Sequence, residues 1–123
     1  MIQGLVNARH EAVFRLRVTG PGGVESDVDM IVDSGFTASL TLPMAMVTAL
    51  ALARQSGDTA VLADGSVRQF DIFAAEVAWG GTWRAVLVSA VGNESPLGMR
   101  LLAGHRFVVD VVPGGLVEIL PLP

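Results

Sequence analysis

Asp33 is the residue of this sequence best placed to do chemistry. It follows Met30, Ile31 and Val32 and precedes Ser34 and Gly35. An ionised carboxylate carried into the interior on such an apolar run must find hydrogen bonds or a partner charge, or else its pKa shifts. If a second carboxylate shares its proton, one of the pair can activate water while the other protonates a carbonyl oxygen. Ser34 sets a hydroxyl beside that position. Gly35 lets backbone approach backbone and leaves an N–H free to point at a carboxylate oxygen.

Little else in the chain competes. Asp64-Gly65 lies in a polar turn without an apolar run before it, so it is a poor second copy. His10 and His105 are isolated and there is no cysteine, so no metal site, thiolate chemistry or disulfide is expected. No Gly-x-Ser-x-Gly elbow occurs. Gly20-Pro21-Gly22-Gly23 lacks the Lys and Ser/Thr of a phosphate loop. Asn93-Glu94-Ser95 matches a glycosylation acceptor, but the N-terminus shows no basic and then apolar signal segment, so the match is read as chance and the location as cytoplasmic.

The 123 residues suit a single domain over 1–123, 51% hydrophobic and 16% charged, with more apolar surface than a small monomer hides easily. The net charge is −4 and the eight basic residues are scattered arginines, which argues against nucleic acid and anionic membrane as partners. Residues 34–53 carry no charge, but their polar residues and Pro43 argue against a membrane helix.

The elements that must position Asp33 are mostly strands. Period-two alternation marks residues 11–18 and 24–32, the second running toward Asp33. Residues 40–42 read as a short extended piece. Pro43 opens a helix over 43–53, with Met44, Val47, Leu50 and Ala51 as its apolar stripe and Ser56-Gly57 as its stop. Asp64-Gly65 joins strands over 58–63 and 66–79 in a hairpin. Gly80-Gly81 turns the chain into a strand over 83–91, with Trp79 and Trp83 expected to pack across the turn. One or two helical turns at 97–102 precede a hairpin of 107–112 and 116–120. About seven short strands with minor helix describe a closed antiparallel β-barrel or sandwich.

Two apolar residues, then Asp, Ser and Gly, resemble the active-site motif of the aspartic proteases, in particular the small retropepsin-like ones. The order of elements over about residues 11–120 is similar to theirs, and the helix after the motif looks like that of bacterial members. The resemblance implies Asp33 as the catalytic residue, with Ser34, Gly35 and Thr37 in support. It implies a substrate-covering flap at Ala63-Asp64-Gly65-Ser66, about thirty residues after Asp33. Leu97-Gly98 matches the family's later apolar-Gly segment at the substrate site. Phe36 departs from the small residue usual after the glycine and puts a benzyl group where substrate side chains pass.

One chain holds one such motif, so catalysis requires a two-fold homodimer bringing two copies of Asp33 together, with no cofactor. The resemblance further implies that the apolar ends, residues 2–6 and 116–120, interleave with those of a second chain. The expected function is peptide or protein hydrolysis. The alternative is a non-catalytic dimeric binding module in which Phe36 fills the cleft.

Overall fold

Alternation along the first half of the chain produces strands whose two faces differ in kind. The computed structural model describes residues 2–123. Its elements begin with β1 (Ile2–Val6), β2 (Ala12–Thr19), β3 (Glu25–Val32), the short β4 (Leu40–Leu42) and helix α1 (Met44–Ala49). They continue with β5 (Ala53–Val61), β6 (Val67–Trp79), β7 (Thr82–Ala90), β8 (Pro96–Leu97), helix α2 (Met99–Leu102), β9 (His105–Val109) and β10 (Leu116–Pro121). The protein is therefore mainly β with two short helices. No helix among the described residues is long and apolar enough to cross a membrane.

β2 and β3 pair so that Phe14 faces Met30 and Leu16 faces Val28, all buried, while Arg15 faces Asp29 and Arg17 faces Asp27 in solvent. The guanidinium Nε atoms lie 3.1 and 3.0 Å from those carboxylates. Such exposed pairs are screened and steer register more than they stabilise. The inward face carries the energy, at roughly 1.5–3 kcal/mol for each large apolar side chain withdrawn from water.

The strands follow the order β5-β6-β7-β4-β8-β3-β2-β1-β10-β9. β6 also pairs with β2, Val18 opposite Val77. β3 and β8 run parallel, as do β4 and β7. β1 and β8 are added to the expected strands, and β4 is the short extended piece expected at residues 40–42; β8, of two residues, is too short for any periodicity to announce it. β1 lies between β2 and β10 of its own chain, and β10 between β1 and β9. Within the chain the two ends pair with each other, Ile2–Leu5 of β1 against Leu116–Ile119 of β10, and β1 meets β2 only through Leu5 and Val6.

Two local expectations are also corrected. The helix ends at Ala49, not Ala53, because Ala51 takes a left-handed conformation (φ 52°). The Leu52 N–H then donates to the Val47 carbonyl and the Ala51 N–H to that of Thr48, closing the helix in a Schellman motif that buries Leu52 beside Val47. β5 begins immediately afterwards. Trp79 and Trp83 do not pack together. The two-residue turn at Gly80 and Gly81 (φ 62° and 91°) sets Trp79 opposite Thr82, so Trp83 points to the other face and is 46% exposed. Trp79 is buried near Phe14, with ring centroids 6.2 Å apart, and its Nε1–H donates to His105 Nε2 at 3.3 Å. The His105 proton then belongs on Nδ1, 3.0 Å from the Ala103 carbonyl. These bonds fasten the start of β9 to the core.

Candidate functional site

β3 leaves the core at its end, where Ile31 and Val32 are only half-buried and face the two-residue β8. The next three residues, Asp33, Ser34 and Gly35, are exposed. The expectation that Asp33 enters the interior is corrected here: the sheet is only two residues deep on that side, and the carboxylate emerges at its rim.

The backbone around it is tightly held. The Asp33 N–H donates to the Leu97 carbonyl at 2.9 Å, and the Phe36 N–H to the Asp33 carbonyl at 3.1 Å, which closes a turn. The segment after β8 lies under the loop. The N–H groups of Gly98, Met99 and Arg100 donate to the carbonyls of Ser39, Phe36 and Ala38 at 2.8, 2.8 and 3.3 Å. A Cβ at Gly98 would stand 2.0 Å from the Ala38 carbonyl oxygen and 2.8 Å from Cδ2 of Phe36. Only glycine fits beneath this crossing, and its missing side chain is where the Phe36 ring rests. The Gly35 N–H donates to Asp33 Oδ1 at 2.9 Å. Among the described residues no ion pair reaches that carboxylate.

Two cavities flank the loop. One, of about 390 Å³, is lined by Asp33 and Ser34 together with Ile31, Val32, Glu11, Glu94, Pro96, Phe107, Val109 and Val111. Glu11 is engaged, its Oε1 accepting from Asn7 Nδ2 at 3.0 Å. The other, of about 610 Å³, lies between the loop and the β5–β6 hairpin. Phe36, Phe70, Ile72, Val86 and Leu87 give it apolar walls, and Asp58, Arg84 and Arg100 its charge. Arg84 is committed, with Nη1 donating to the Leu101 carbonyl at 3.1 Å and its guanidinium 6.0 Å from the Trp79 ring centre.

Phe36 therefore lines the groove under the hairpin and leaves Asp33 open to solvent. Thr37 is exposed on the same loop. Leu97 and Gly98, expected at the substrate, are buried and line neither cavity; they hold the loop from behind.

Ala63, Asp64, Gly65 and Ser66 form the exposed hairpin tip. The Gly65 N–H donates to the Leu62 carbonyl, and Gly65 adopts φ 83°. Asp64 Oδ1 accepts from the Ser66 N–H at 2.9 Å and its hydroxyl at 2.6 Å. These bonds, the hydroxyl's first, hold the Asp64 carboxyl below its ordinary range. Asp64 is a turn residue and lines neither cavity beside the Asp33 loop.

The sequence reading missed Phe107, Val109 and Val111 beside Asp33, and Asp58, Phe70 and Arg100 in the groove. Alternation marks the faces of the strand residues among them, but nothing local connects any of them to a loop so distant in the chain. No group of His, Asp and Glu among the described residues is arranged to hold a metal ion. No family model matches the chain, and no curated protein matches it.

Proposed function

We propose that the protein is a retropepsin-like aspartic peptidase working as a two-fold homodimer, with one Asp33 from each chain in a shared dyad. The ionised carboxylate takes a proton from water as the oxygen attacks the peptide carbonyl carbon. The protonated one gives its proton to the carbonyl oxygen, and collapse of the tetrahedral intermediate sends a proton to the leaving nitrogen. Ser34 from each chain bonds across the axis and keeps the carboxylates in plane. The Gly35 N–H, 2.9 Å from Asp33 Oδ1, fixes the orientation of its own carboxylate. The β5–β6 hairpin covers an extended peptide, and the groove beside Phe36 receives its side chains.

The observation that carries this reading is a loop pinned by main-chain bonds on both sides whose exposed carboxylate enters no ion pair among the described residues. That is the preorganisation a reacting group needs. The ladder running from β6 through β7, β4, β8, β3 and β2 back to β6 supports the closed-barrel reading of the fold.

Asp33→Asn tests it against a peptide pool at about pH 5. Turnover is expected to disappear while the dimer persists; unchanged turnover refutes the peptidase. A second reading, a non-catalytic dimeric module binding extended peptides, is favoured by Phe36 as a wall of the groove. It predicts that wild type retains peptides uncleaved and that Asp33→Asn binds them equally well.

A further inference from the structure

We infer that β9 is the strand through which two copies of this chain join, its free edge pairing antiparallel with the same edge of the second copy beside Asp33. The inference rests on the dimeric reading above and identifies the surface that makes it.

β9 closes one end of the sheet order and β5 the other. The Asp110 N–H donates to the Leu116 carbonyl, and the Leu122 N–H to that of Gly104. Positions 104 and 110 thus face β10, and antiparallel alternation places 106 and 108 there too. The N–H and C=O groups of His105, Phe107 and Val109 are left on the open side.

The two ends of the sheet are guarded differently. β5 carries a bulge between Arg54 and Ser56 and a polar run including Asp58 and Thr59, devices that discourage edge pairing. β9 has no proline or bulge, its one charge is Arg106 near its start, and Phe107-Val108-Val109 along it is apolar. An unguarded edge of this kind is a pairing surface.

Three features of the molecule identify what covers it. Phe107, Val109 and Val111 line the same cavity as Asp33, so whatever extends the sheet at β9 stands next to the carboxylate that needs a second copy of itself. Val108, Val111 and Val112 are 40%, 61% and 57% exposed, beside the exposed Arg106 and Asp110, whose opposite charges a two-fold axis can bring together across the seam. The chain exposes 7122 Å², whereas a monomer of 12.9 kDa exposes about 6,300 Å². The excess is about what one partner buries in a standard interface, roughly 800 Å². An antiparallel strand edge is self-complementary under a two-fold axis, which selects a second copy of this chain.

Sedimentation of the full chain at micromolar concentration tests the proposal. Wild type is expected to be a dimer. Val109→Pro removes an outward N–H and leaves those facing β10, so it is expected to remain folded by circular dichroism and weaken the dimer about a hundredfold. Val108→Cys, in a chain otherwise free of cysteine, is expected to yield cross-linked dimer with a short bis-maleimide, and Val24→Cys on the β2–β3 turn is not. The cross-linking decides the matter should Val109→Pro unfold. A wild-type dimer that Val109→Pro leaves intact, or that Val108→Cys fails to cross-link, overturns the β9 interface and leaves the peptidase reading standing. A strict wild-type monomer removes both.

Discussion

Between Asp33 and Ser39 the main chain is tied at four points to the segment that carries Leu97 and Gly98, whereas the far end of the hairpin is held by its own ladder alone. β7 pairs with β6 only from Asp71 onward, so residues 57–61 and 67–70 form a two-stranded arm exposed on both faces, with Val61 and Val67 75% and 64% exposed. The two regions face each other across one groove. The contrast suits a site in which reacting groups must not move and the cover must. It also separates two uses of an Asp-Gly neighbourhood. Asp33 leaves its backbone fixed and its carboxylate open, while Asp64 spends its carboxylate on Ser66 to shape a turn.

Glycine substitutions break this comparison most directly. Gly98→Ala sets a methyl group against the carbonyl oxygens of Ala38 and Phe36, which are backbone and cannot give way. A loss of about 3 kcal/mol or more is expected, with loss of any hydrolysis. Gly65→Ala meets nothing within 4 Å and suffers only from its positive φ, so about 1 kcal/mol is expected. Denaturant midpoints of the two variants measure the difference, and equal costs would show that the loop is no more tightly built than the arm.

The short helix between the two regions offers a smaller effect of opposite sign. Ala51 sits in the left-handed position of a Schellman motif, where glycine is unstrained. Ala51→Gly should raise stability by about 0.5–1 kcal/mol, read as a higher melting temperature. A lower one would mean that the Ala51 methyl group does something the structure does not reveal.

The smallest expected effect is one of pH on the arm. The Asp64 carboxyl is held below its ordinary value by Ser66, so its contribution to the turn is complete above the unfolded pKa. It is lost as pH falls through the lower folded value. Amide exchange at Ser66 should therefore quicken in acid below the ordinary Asp range of about 3.9, while the amide of Phe36 in the pinned loop does not follow. Parallel changes at both would erase the distinction between the regions.

What the residues determined by themselves is local. Alternation in residues 11–18 and 24–32 sets which side chains point inward, and Phe14, Leu16, Val28 and Met30 are buried as that parity requires. Asp64-Gly65 and Gly80-Gly81 demand turns that only residues free to take positive φ make without strain. The Asp-Ser-Gly turn is legible for another reason, an Asp carboxylate able to accept the N–H two residues on, as Asp33 does from Gly35. The tertiary structure decided which strands meet. β8, two residues long, lies between β3 and β4 because residues 33–39 and 97–100 exchange main-chain bonds, and no side-chain pattern records that partnership. It also decided where the interior ends, which turned the carboxylate expected inside into an exposed one. Periodicity reports the face a residue takes on its own strand. How deep that strand lies, and what stands opposite it, depends on segments far away in the chain.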